Sequence, residues 1–125
     1  MSVKLDILIV DDIYTNRLLL SELIQRTGHN SQQVENGREA LELLQNNHFD
    51  LILMDIEMPV MNGIETTNFI RKKLPSPKNQ IPVIALTAHN PEYFWDEYQD
   101  IDFTYLLLKP YSVEKITEII NKYCK

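Results

Sequence analysis

In the stretch 51-LILMDIEMPVMNG-63, four apolar residues run straight into Asp55, and Ile56-Glu57-Met58-Pro59 then turns the chain toward Asn62-Gly63. A short continuous apolar run closed by turn residues reads as a strand buried on both faces. An ionised carboxylate at the end of such a strand is costly beside an apolar core unless something pairs with it. The position of Asp55 therefore calls for a partner, and the rest of the chain has to supply one.

Outward from that strand, short apolar runs alternate with segments of helical period. Leu5–Val10 is a near-continuous apolar strand. Residues 14–26 form a helix with Leu19, Leu20, Leu23 and Ile24 on one face and Gly28 just past its end. Asn30–Glu35 is a weak polar strand, and Asn36-Gly37 opens a short helix carrying Ala40, Leu41 and Leu44. A third helix runs from about Gly63 to Leu74 until Pro75-Ser76-Pro77 stops it. Gly63 itself serves either a tight backbone approach near the loop or simply the helix-start turn.

Pro82–Thr87 is the fourth strand, Pro91–Tyr98 a short fourth helix, and Tyr105–Leu108 the fifth strand. Ser112 caps a last helix with Val113, Ile116, Ile120 and Tyr123 facing inward. Five strands alternating with five helices predict a single α/β domain over residues 1–125, with a parallel sheet and helices on both faces. The polar strand at 30–35 belongs on an edge. That favours the doubly wound, flavodoxin-like order 2-1-3-4-5.

In a parallel sheet the carboxyl ends of all strands lie along one edge, where such folds bind ligands. Here those ends carry Asp11-Asp12, Asp55, Thr87 and Lys109-Pro110. Clustered carboxylates repel, so one is protonated unless a cation neutralises them. Hard oxygen donors suit Mg²⁺, which takes one or two carboxylates, waters and a phosphate oxygen. Lys109 and the Thr87 hydroxyl are what the remaining oxygens of a phosphoryl group need. His29, His48 and His89 stand isolated, without zinc-type spacing, and read as surface or loop histidines.

The segments 7-ILIVDDIYTNR-17, 35-ENGREAL-41, 53-LMDIEMPVMNGIE-65, 83-VIALTAH-89 and 108-LKP-110 resemble the CheY-like receiver domain of response regulators. They span nearly the whole chain, with 43 residues from Asp12 to Asp55, 32 more to Thr87 and 22 more to Lys109, the separations typical of that family. The TNR, ENG and TAH details look most like receivers of hybrid histidine kinases. The resemblance implies that Asp55 accepts a phosphoryl group from a histidine kinase or histidine phosphotransfer protein. It implies Mg²⁺ on Asp12, Asp55 and the Glu57 backbone carbonyl, with Asp11 acting largely through water. Thr87 and Lys109 would bind the phosphoryl oxygens, and Lys109-Pro110 would be a cis peptide.

One departure stands out. Receivers usually carry an aromatic residue three positions before the lysine, and this chain has Leu106 there with Tyr105 one residue earlier. Strand alternation sends these neighbours to opposite faces, so Tyr105 replaces the usual switch residue only through a bulge. The segment from Tyr93 to Tyr111 holds seven of the eleven aromatics, interleaved with Asp96, Glu97, Asp100 and Asp102. Family receivers use the face of the fourth helix, fifth strand and last helix for dimers and effectors. The rings therefore read either as a partner patch with an acidic rim or as packing of a short helix on the sheet.

Composition narrows the function further. A net charge of −6 argues against direct binding of nucleic acid or an anionic membrane. The basic run Arg71-Lys72-Lys73 suits a helix C-terminus. The one cysteine, Cys124, excludes an internal disulfide, and the absence of a leader-like segment points to the cytoplasm. A switch that catalyses only its own phosphotransfer and dephosphorylation, and is otherwise no enzyme, is thus the leading expectation. One rival is a phosphatase of the haloacid dehalogenase type, which needs its nucleophile after the first strand. Another is a flavodoxin-like cofactor binder, whose phosphate Asp11-Asp12 would repel. A third is a degenerate receiver used only for docking.

Overall fold

The computed structural model describes residues 4–88 and 100–123. Five parallel strands, β1 (Asp6–Val10), β2 (Asn30–Val34), β3 (Leu51–Asp55), β4 (Val83–Thr87) and β5 (Tyr105–Leu108), form one sheet. Their order is β2-β1-β3-β4-β5, the flavodoxin-like arrangement, with polar β2 on an edge. Around the sheet lie α1 (Tyr14–Arg26), α2 (Gly37–Asn46), α3 (Gly63–Lys73) and α4 (Val113–Tyr123), with a short 3₁₀ turn at Lys78–Gln80. Four helices rather than five are thus present among the described residues. The helix expected at Pro91–Tyr98 lies outside them, as do His89 and Cys124.

The central strands alternate between two cores. Leu8, Val10, Ile52, Met54, Val83 and Ala85 pack under α2 and α3, against Ala40, Leu44 and Ile70. Ile7, Ile9, Leu51, Leu53, Ile84 and Leu86 pack under α1 and α4, against Leu20, Leu23, Ile24, Ile116, Ile119 and Ile120. Two residues expected to face inward do not: Leu19 is 50% and Val113 43% exposed, and Ile119 fills the inner position on α4 instead. Both lie at the flank of an apolar stripe, where a step of about 100° per residue takes a side chain off the buried face.

The helix ends follow the local chemistry. Asn36 accepts from the Glu39 amide at 3.0 Å, and Ser112 Oγ from the Lys115 amide at 3.2 Å. Asn62 and Glu65 form a reciprocal capping box at the start of α3. Gly28 takes φ +88 just beyond α1, the left-handed conformation that ends helices. Arg71 goes beyond the helix-dipole reading of its basic run. Its guanidinium donates to the carbonyls of Asn79 (3.0 Å), Ile81 (2.7 Å) and Asp102 (2.8 Å), stapling α3 to the approaches of β4 and β5.

Candidate functional site

Parallel strands bring their carboxyl ends together, and five candidate residues meet there. Asp11 and Asp12 follow β1, Asp55 ends β3, Thr87 ends β4 and Lys109 follows β5. Asp12, Ile13, Asp55, Glu57, Leu86, Thr87, Ala88 and Lys109 line a cleft of about 160 Å³. The carboxylate oxygens of Asp11, Asp12 and Asp55 lie within 4.8 Å of one another. Lys109 Nζ donates to Asp55 Oδ1 at 3.1 Å. The Lys109-Pro110 peptide is cis, and so, without any sequence signal, is Ser76-Pro77.

Burial sets the electrostatics. Asp55 is 4% exposed, and its pKa is raised from 3.8 to about 6. Desolvation is the largest cause and the Asp11 charge the next; the Lys109 hydrogen bond and charge pull the other way, and Asp12 adds to the rise. Tyr111, just past Lys109, has its phenol pushed up to about 12 by burial and then by Asp11 and Asp55. Asp11 is fully buried. Its Oδ1 accepts from the Ile13 amide at 2.9 Å, whereas its Oδ2 has no hydrogen-bond partner among the described residues. A buried carboxylate oxygen without a donor, beside two further carboxylates, fits a hard divalent cation.

Two supports of this site carry weaker sequence signals. Arg17, 8% exposed, donates through NH1 to the Asp11 carbonyl at 2.8 Å and reaches Glu35 at 3.8 Å, fixing the acidic turn from α1. Gly63 starts α3 and also lies against the strand end. A Cβ there would run into the Asp55 carbonyl and sit 2.9 Å from Ile56 Cα, so the close backbone approach is the constraint. Its amide donates to the Ile56 carbonyl at 3.0 Å. The long-range partners of Arg17 are not visible in local sequence.

The proposed switch positions lie elsewhere on the sheet. β5 pairs regularly with β4, Ala85 opposite Leu106 and Ile84 opposite Tyr105, with no bulge. Leu106 packs on the α2–α3 side of the sheet, whereas Tyr105 stacks near Tyr123 of α4, with ring centroids 5.9 Å apart. Of the aromatic segment, Phe103 is core, Tyr105 is 37% exposed and Tyr111 is half-buried. Tyr93, Phe94, Trp95 and Tyr98 lie outside the described residues. His29 Nδ1 accepts from the Leu5 amide and His48 pairs with Asp50, both away from the cleft.

Residues 7–121 match the family model of the response regulator receiver domain. The chain belongs to that family. This receiver is 42% identical over 86 residues to the autoinducer 1 sensor kinase/phosphatase LuxN of Vibrio campbellii, a stretch covering 69% of the chain. The match spans only 10% of LuxN. Sporulation initiation phosphotransferase F of Bacillus subtilis is 33% identical over 117 residues, covering 94% of this receiver and 91% of that protein. The receiver domain of sensor histidine kinase PA1611 from Pseudomonas aeruginosa shares the fold, with TM-score 0.88 over 98% of both chains at 24% identity. That structure has a magnesium ion coordinated in its active-site cleft. No helix among the described residues of this receiver is long and apolar enough to cross a membrane.

Proposed function

We propose that this receiver is the phosphoacceptor switch of a two-component phosphorelay, taking a phosphoryl group on Asp55 from a phosphohistidine of a histidine kinase or phosphotransfer protein. The observation that carries the reading is the contact of Lys109 with Asp55, made inside a cleft that also gathers Asp12 and Thr87, with the Asp11 carboxylate within 4.8 Å of those of Asp12 and Asp55. Asp12, Asp55 and the Glu57 carbonyl would hold Mg²⁺, with Asp11 oriented toward its water. Bound there, the ion supplies charge neutralisation and a template for phosphoryl oxygens.

An Asp55 oxygen attacks phosphorus; the P–O bond forms as the P–N bond breaks, and the electron pair of that bond stays on the imidazole. The acid must be ionised to attack, and Lys109 at 3.1 Å favours the ionised form against the burial that raises the Asp55 pKa. Lys109 then exchanges the carboxylate for a phosphoryl oxygen, and the Thr87 hydroxyl turns to donate to another. The chemistry is self-directed and makes the chain no enzyme toward other substrates. The haloacid dehalogenase arrangement is disfavoured because Asp55 follows the third strand in sequence, not the first.

Output passes through the face of β5 and α4, to a second copy or an effector, in the cytoplasm and without direct contact to nucleic acid or membrane. The exposed Tyr105 and Leu108 on the edge strand support this reading. Incubation with Mg²⁺ and acetyl phosphate, followed by intact mass, tests the acceptor role. One phosphoryl adduct is expected, absent in Asp55→Asn and without Mg²⁺. A stable adduct on Asp55→Asn, or steady turnover of a phosphate ester by the unaltered chain, overturns it.

A further inference from the structure

The turn between β2 and α2 touches both loops that form the acidic cleft. On one side, the Asp11 amide donates to the Val34 carbonyl at 3.2 Å, and Arg17 bridges the Asp11 carbonyl and Glu35. On the other, the Gly37 amide donates to the Met61 carbonyl at 3.1 Å, in the loop that leads from Asp55 through Glu57 to α3. That loop folds back on itself: the Met61 amide donates to the Pro59 carbonyl at 2.8 Å, and Val60 between them takes φ 70.

Gly37 leaves no room for a side chain. A Cβ would overlap Thr66 Oγ1 and sit 2.8 Å from the Met61 carbonyl oxygen. Thr66 is fully buried, and its hydroxyl donates to the Asn62 carbonyl at 2.7 Å, so it lacks a free position to retreat to. Asn62 is in turn the cap of α3. A methyl group at Gly37 therefore pushes on Met61 and on the N-terminus of α3 together.

We infer that Gly37 is a positioning residue for the cation and phosphoryl site, setting the loop of Glu57 and Met61 against the acidic turn of Asp11 and Asp12. The inference rests on the phosphoacceptor reading for its purpose, but its geometry involves only the chain's own atoms. Residues that orient metal ligands without touching the metal commonly change affinity by about 10–100-fold.

The test measures Mg²⁺ affinity by calorimetry, with urea stability alongside, on the parent, Gly37→Ala, Gly37→Ala/Thr66→Ala and the reference Thr66→Ala. Gly28→Ala serves as a stability control. It strains a left-handed residue that has open space around it and lies past the end of α1, away from the cleft. Gly37→Ala is expected to weaken Mg²⁺ binding about tenfold or more. The double variant relieves the Thr66 overlap but not the approach to the Met61 carbonyl, so it regains stability while Mg²⁺ binding stays weak relative to Thr66→Ala. Gly28→Ala loses stability and keeps parental Mg²⁺ affinity.

Mg²⁺ affinity that follows stability across all the variants, or returns fully in the double variant, overturns the inference. A parent that binds no Mg²⁺ overturns it together with the cation assignment. A parent that binds Mg²⁺ yet gives no phosphoryl adduct overturns the acceptor reading alone, and the affinity comparison still decides the role of Gly37.

Discussion

Asp55→Asn removes an acid whose ionisation the fold opposes, so the variant should be more stable than the parent at neutral pH in the absence of divalent cations. The folded pKa of about 6 lies above the ordinary 3.8, so the folded state holds more protons between those values. Stability therefore falls as pH rises through that window and stays lower above it. About two units at roughly 1.4 kcal/mol each set a ceiling of about 3 kcal/mol. Solvent screening and relaxation around the carboxylate reduce this to about 1–2 kcal/mol. For a domain of this size that corresponds to a rise of about 3–8 °C in Tm.

The assay is denaturation of both proteins at about pH 7.5 and about pH 4 with a chelator present. Near the lower pH the folded carboxyl is neutral and only the unfolded chain is still partly ionised at position 55, so the difference should shrink to a small fraction of its value at the higher pH. Adding Mg²⁺ to about ten times its Kd should return roughly 1.4 kcal/mol to the parent and less to the variant, which has lost a ligand. An asparagine variant no more stable than the parent at the higher pH, or equally advantaged at both, would refute the account of the cleft as a site of uncompensated charge.

Lys109→Met takes away the cation that holds the Asp55 pKa down, so the carboxyl should titrate above its present value of about 6, as followed by carboxyl carbon shifts in NMR. An unchanged or lower value would mean that the 3.1 Å contact has little electrostatic effect. Arg71→Met leaves the carbonyls of Asn79, Ile81 and Asp102 without their donor and should cost about 2–4 kcal/mol in urea denaturation. A loss below about 1 kcal/mol would show that water replaces the guanidinium freely.

The sheet was legible because β1, β3 and β4 are apolar at every core position and β2 is not, a contrast that orders the strands without any contact being known. The cleft was legible for a related reason: parallel strands put their carboxyl ends on one edge, so residues far apart in sequence become neighbours by topology. What local pattern does not encode is the identity of long-range partners. Arg71 looks like a helix-end cation until the carbonyls around it are seen, and Arg17 like a surface charge until the Asp11 carbonyl is placed beside it. Gly37 reads as a turn glycine, because only the packing of α2 against α3 brings Thr66 onto its face.

The route from Thr87 to the output face is constrained by the same register. Thr87 lies opposite Leu108, and the Lys109 amide donates to the Thr87 carbonyl at 2.7 Å, so a displacement at the end of β4 is felt directly by β5. Moving Tyr105 to the Leu106 side would require a bulge or a one-residue slip, and a slip turns every side chain of β5 to the other face and takes Leu107, now 4% exposed, out of its packing under α1 and α4. New hydrogen bonds to a phosphoryl group supply about 1.5–3 kcal/mol each. A full reversal of a two-state equilibrium takes about 5.5 kcal/mol. On the proposed reading, coupling through Leu106, whose side chain has no ring to exchange between buried and exposed positions, would yield a partial shift that partner binding completes. Leu106→Tyr should strengthen that shift, seen as a larger ratio of partner affinity between phosphorylated and unphosphorylated protein. A ratio left unchanged by the new ring, in a variant that folds normally, would place the coupling on another path from Thr87.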